Sequence, residues 1–129
     1  MSTMRLRATG RAASAEVWER YALPAKWPSW SPQIRKVTTS GERIAPGMKG
    51  EVTSFFRITV HFLVESVDET RRRWTWRVRL GPVRLRLHHS VRAEEGGRVT
   101  TGLRIEGPLP AVIAYACLAQ PALRRLVRP

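Results

Sequence analysis

The chain has 129 residues, with 23 lysines and arginines against 10 aspartates and glutamates, a formal charge of +13. That length suits one domain spanning residues 1–129, and 43% hydrophobic with 26% charged residues excludes a disordered or fibrous chain. No apolar run approaches the ~18–20 residues of a membrane span, and the single cysteine, Cys117, excludes an internal disulfide framework or a multi-cysteine metal site. Residues 1–10 lack the apolar segment of a secretory signal, so a cytoplasmic protein is expected.

Met4, Leu6 and Ala8 alternate with Arg5, Arg7 and Thr9, the period-2 pattern of a half-buried strand. Ser14 then reads as the N-cap of a short helix, with Glu16 and Glu19 near its positive end and Val17, Trp18 and Tyr21 on its inward stripe. Pro24 closes that helix. The segment from Ala25 to Pro32 is too rich in proline for a long helix, yet Trp27 and Trp30 make it a packed one.

From Ile34 the chain reads as consecutive strands: Ile34–Ser40, Gly50–Phe56, Ile58–Val67, then Trp74 to Leu80, Val83 to Arg92 and Val99 to Glu106. Gly41–Gly47, Asp68–Arg72, Gly81–Pro82 and Gly96–Gly97 supply the turns. After Gly107 and Pro108 the period changes from 2 to 3.6. Leu109, Val112, Ile113, Ala116 and Leu118 fall on or near one helical face. Pro121 predicts a kink or restart, and Arg124, Arg125 and Arg128 complement the helix dipole. The plan is α+β: a strand, short helices, about six further antiparallel strands and a terminal helix. One face of such a sheet is apolar, and the last helix is the only sizeable element able to cover it.

The order of these elements, with their local motifs, resembles the helix-grip fold of the SRPBCC superfamily, which groups START-like and polyketide cyclase/dehydrase-like proteins. The matching residues are Ala15–Glu19 in the first helix, Trp27-Pro28-Ser29-Trp30-Ser31-Pro32, Gly47-Met48-Lys49-Gly50 before the third strand, Arg73–Trp76, and Ile105–Pro108. The resemblance spans residues 4–127. It implies a curved antiparallel sheet of about 6–7 strands wrapped around a C-terminal helix, with an apolar cavity between them. It also implies binding of a lipid, polyketide or other hydrophobic small molecule, with cyclase/dehydratase-type catalysis in some members. This chain departs in its short final helix, since only 21 residues follow Pro108. A short helix implies a smaller cavity, one open at an end, or one completed by a second copy in a homodimer.

Candidate site residues follow from the strand phases. His89 shares the face of Val83, Leu85, Leu87 and Val91, so its imidazole is expected in the apolar interior, where it would orient a ligand or act as acid or base. The alternative is a core histidine bonded to a backbone carbonyl or water. Trp27, Trp30, Trp74, Trp76 and Phe62 are candidates for a wall that stacks on flat ligands, with Leu103, Val112 and Tyr115 completing the lining; ordinary core is the alternative for each. Tyr115 and Cys117 on the last helix are placed to reach the cavity, though Cys117 has no basic neighbour to activate it. His88 and His61 face outward, and no carboxylate at ligand spacing makes them a metal pair. Glu51 is either exposed or functional. No G-x-S-x-G, P-loop, dinucleotide or zinc motif is present, so no cofactor or metal is expected.

The charge needs a separate account. Only Lys26, Lys36 and Lys49 are lysines, so arginine supplies nearly all of it. Codon bias in a GC-rich genome produces such an excess, and nucleic acid or an anionic surface would also select it. Arg77, Arg79, Arg84, Arg86, Arg92 and Arg104 all fall on the polar phase of their strands, the expected convex face. That face lacks the aromatic residues that single-strand binders interleave with charge. Nucleic acid therefore ranks below a small molecule as partner, and a basic-surface module contacting an anionic membrane or nucleic acid is the third reading, after carrier and enzyme.

Overall fold

A computed structural model describes residues 1–129, the side chain of Phe56 apart. Its seven strands are β1 (Ser2–Gly10), β2 (Ile34–Thr39), β3 (Lys49–Ser54), β4 (Thr59–Asp68), β5 (Arg73–Leu80), β6 (Val83–Ala93) and β7 (Val99–Gly107). The helices are α1 (Ser14–Ala22), the single turn α2 (Trp27–Trp30) and α3 (Leu109–Leu126). All strand pairs are antiparallel, in the order β1-β7-β6-β5-β4-β3-β2. The first strand therefore lies beside the last, and α1 and α2 carry the chain across to the opposite edge.

Strand alternation sets the two faces. Met4, Leu6, Trp74, Trp76, Leu87, His89, Leu103 and Ile105 fall in phase by register and point toward the helices. Trp74, His89, Leu103 and Leu6 form one row across four strands. Helix α1 buries Val17, Trp18, Tyr21 and Ala22 against this face. Two register shifts, between Ile34 and Lys36 and between Val64 and Ser66, bend the far side of the sheet.

Three local expectations are corrected. Ser14 does not cap α1: Ala13 holds the cap position without a side-chain bond, and the Ser14 hydroxyl accepts from Arg72 at 2.8 Å instead. Pro121 does not interrupt α3, which runs unbroken to Leu126. The proline sits on the exposed side with Cys117, the residue whose carbonyl loses its amide donor, while Ala119, Ala122 and Leu123 keep the buried stripe continuous. That stripe is rotated from the expected one: Val112, Ala116, Ala119, Leu123 and Leu126 are buried, whereas Leu109, Ile113 and Leu118 are about half exposed.

The end of α3 is fixed against β1. Val127 accepts the amide of Ala12 at 3.1 Å. A Cβ at Gly10 would stand 2.2 Å from the Val127 carbonyl oxygen, so only glycine allows this approach.

Candidate ligand cavity

Between the inner face and α3 lies a cavity of about 400 Å³. Trp27, Trp30, Trp74, Trp76, His89 and Leu103 form much of its wall, with Tyr115, Leu118 and Ala122 from α3. No lysine, arginine, aspartate or glutamate lines it. Ile58, Leu80 and Val83 also reach it from the β3–β4 and β5–β6 connections, and each is around 40% exposed. The hairpin tips therefore form its mouth.

The aromatic wall is held together ring to ring. Trp74 stacks on His89 with centroids 4.5 Å apart at 13°, and on Trp27 at 5.9 Å and 25°. Trp76 meets Trp27 at 5.1 Å and Trp74 at 5.0 Å. Trp27 donates its indole N–H to the Tyr21 carbonyl at 2.8 Å, which locks the W-P-x-W segment onto α1. Trp30 does the same to the Arg20 carbonyl at 3.1 Å. Tyr21 is fully buried, shares a hydrogen bond with the Thr101 hydroxyl at 2.8 Å and packs edge-on to His89 at 4.9 Å.

His89 is 6% exposed. Its Nε2 accepts the indole N–H of Trp76 at 3.0 Å, so the neutral ring carries its proton on Nδ1. Burial pulls its pKa from 6.5 to about 3, with adjacent His88 adding to the effect, and the ring is neutral at physiological pH. Burial likewise pushes the Tyr21 phenol above its ordinary range, against the opposing bond from Thr101, and does the same at Tyr115. The site holds neutral donors and acceptors in an apolar frame.

Seven of the nine expected lining residues meet at this cavity: Trp27, Trp30, Trp74, Trp76, His89, Leu103 and Tyr115. Phe62 and Val112 do not. The Phe62 ring packs against Trp27 and Trp76, 5.6 and 5.1 Å away, and lies over Gly50, where a Cβ would fall 2.6 Å from its edge. Val112 is wholly buried and lies outside the cavity wall. Cys117 is exposed and does not reach the cavity. Glu51 is exposed and lies beside His61, 3.4 Å from its Nδ1. His88 bonds Glu106 and Thr75 on the outer face. Among the described residues, no group of three or more His, Cys, Asp or Glu is placed to hold a metal ion. The strand phases missed the tip residues Ile58, Leu80 and Val83 as a mouth, since alternation does not show where a sheet stops being covered.

A curved sheet, a gripping helix and a cavity lined without charge define the helix-grip class. The chain matches, over residues 1–128, the family model described as polyketide cyclase / dehydrase and lipid transport, and it belongs to that family, within the SRPBCC superfamily. Among solved structures it is similar to the hypothetical protein jhp0584 from Helicobacter pylori, at 14% identity and TM-score 0.82 over 98% of this chain and 86% of that one. XoxI from Bacillus cereus gives 15% identity and TM-score 0.84, covering 98% and 94%. Ara h 8.0201 gives 13% identity and TM-score 0.75, covering 97% and 94%. At these identities the likeness establishes the fold. No curated protein matches the sequence. Family and fold are compatible with hydrophobic ligand binding, and among the described residues no helix is long and apolar enough to cross a membrane.

Proposed function

We propose that this protein binds an uncharged, hydrophobic small molecule of lipid or polyketide type in the cavity between the sheet and α3, and serves as its carrier. The observation that supports this reading is a space of about 400 Å³ whose wall is mainly aromatic and aliphatic, with Ser31, Gln33 and Ser54 as uncharged polar members and no ionised side chain among the described residues. Burial of ligand area at about 25 cal/mol per Å² supplies the driving force before association costs. Native mass spectrometry of the protein purified from its own host tests the reading. A retained apolar molecule is expected, and repeated recovery of empty protein that also binds no apolar probe would sink it.

The alternative is a cyclase/dehydratase-type enzyme using the same cavity with His89 as acid or base. A general base works best with a pKa near the working pH, and His89 at about 3 is far below it. This favours the carrier. A His89→Ala variant that keeps ligand affinity but loses a measured turnover would reverse the ranking.

A second reading concerns how the ligand enters. The β5–β6 tip carries exposed Leu80 and Val83 between Arg79 and Arg84. These two arginines are cross-strand neighbours without an ion-pair partner among the described residues, and they border an outer groove of about 860 Å³. An apolar tip with basic flanks fits an anionic membrane surface. Binding to phosphatidylserine vesicles, absent from phosphatidylcholine vesicles and lost on replacing Arg79 and Arg84 by Glu, is the expected result. Binding to nucleic acid in place of vesicles would redirect this reading. Exposed Leu109 and Ile113 on α3 support a homodimer as a further proposal, which a monomeric mass by light scattering at high concentration would overturn.

A further inference from the structure

Two side-chain nitrogens of residues that line the cavity have no partner among the described residues. Nδ1 of His89 and Nε1 of Trp74 are both buried and make no hydrogen bond within the protein. Both residues line the cavity. Their rings stack on one another, and their Cα atoms are register partners across β5 and β6. Buried N–H groups in folded proteins are nearly always paired, so two orphans on adjacent rings mark a place where something outside the chain completes the bonding.

The chemistry of the two atoms is fixed by their neighbours. Trp76 occupies Nε2 of His89, which leaves Nδ1 as the protonated nitrogen. An indole nitrogen only donates. Both orphans are therefore donors, and the missing group is an acceptor. No lysine or arginine lines the cavity to neutralise a carboxylate or phosphate, and a buried anion without a counter-ion is strongly disfavoured. The rings of Trp27, Trp74, Trp76 and His89 offer a flat aromatic wall.

We infer that the cavity contains a built acceptor site, in which His89 Nδ1–H and Trp74 Nε1–H receive the carbonyl oxygen of a flat, uncharged, largely apolar ligand. The inference rests on the cavity being the ligand site and adds the class of molecule it selects. It assigns His89 the role of a fixed neutral donor. It also explains why Trp76 points its own N–H at His89: that bond sets the tautomer that presents a proton to the ligand.

A matched pair of probes separates the acceptor site from simple apolar burial. 9-Fluorenone and fluorene share shape and size and differ by the carbonyl. Fluorenone is expected to bind about tenfold more tightly, the worth of one well-made hydrogen bond to an otherwise unpaired donor. In ¹⁵N-resolved spectra, fluorenone should move the Trp74 indole and His89 imidazole N–H signals while fluorene leaves them near their free positions. Trp74→Phe keeps an aromatic ring and removes one donor. It should cut the ratio of fluorenone to fluorene affinity several-fold, a ratio in which the loss of ring area common to both probes cancels. Where that variant does not fold, the N–H signals of the unmodified protein decide. Equal affinity for the two probes with unmoved N–H signals overturns the acceptor site and leaves the cavity reading standing. Failure of both probes to bind overturns both.

Discussion

The two faces of the sheet are made from alternate residues of the same strands, yet they solve opposite electrostatic problems. On the inner face Trp74, Trp76, Leu87 and His89 exclude ionised groups, and the imidazole among them is held neutral. On the outer face Arg77 stands opposite Arg86 and Arg79 opposite Arg84. Glu65, at the register shift of β4, answers the first pair with ion pairs of 2.9 Å to each arginine. The second pair has no carboxylate among the described residues. Water screens the outer charges, whereas the inner face presents no ionised group that would need screening. Each test below perturbs one side of that contrast.

The largest effect is expected inside. Trp27 is 1% exposed, touches Phe62, Trp74 and Trp76, and anchors to Tyr21. Trp27→Ala should lower stability by about 3–5 kcal/mol through lost burial and the cavity left behind. Urea unfolding measures this, and a loss below ~1 kcal/mol would mean that the aromatic wall is not the core.

Acid attacks the inner face through His89. Its folded pKa lies below the unfolded value of 6.5, so the unfolded chain binds more protons between pH 6.5 and about 3. Stability is present above 6.5 and falls with acidification, by up to ~1.4 kcal/mol per pH unit. From pH 6.5 to 5, largely above the range where carboxylates titrate, the decline should reach about 1.6 kcal/mol. Thermal melts across that window check it. His89→Gln offers Trp76 an acceptor without a titrating ring and should flatten the slope; an unchanged slope would place its source elsewhere.

The contrast between the faces also marks what the sequence made legible. Alternation identified every strand and put Trp74, Trp76, His89 and Leu103 on one face, because a residue's side of a strand depends only on parity. It misassigned Phe62, whose parity is correct but whose ring is sheltered by Trp27, Trp76 and the missing side chain at Gly50. Val112 failed for a different reason. Helix phase put it on the buried stripe, where it lies, but phase does not separate packed core from cavity lining. The orphan donors of Trp74 and His89 were illegible, since a hydrogen bond that is not made leaves no pattern in the chain.

On the outer face, Glu65→Gln removes the shared partner of Arg77 and Arg86. Two surface ion pairs in one arrangement should be worth about 1 kcal/mol together. The loss should shrink at 1 M salt, where screening reaches about 3 Å. An equal loss at low and high salt would indicate that Glu65 acts through packing.

The smallest effect carries the opposite sign. Arg79 and Arg84 face one another directly, and like charges in register on adjacent strands repel. Arg84→Thr keeps strand preference, removes the repulsion and should raise stability by roughly 0.2–1 kcal/mol at low ionic strength. The gain should vanish in high salt. If the proposed docking holds, the same variant should weaken attachment to phosphatidylserine vesicles, because the charge that strains the hairpin would then be the one facing the headgroups. Stabilisation and loss of docking in one substitution would show that the outer face keeps its repulsion for a partner. Stabilisation with docking intact would reduce those arginines to a solubilising coat and leave the inner face as the sole seat of function.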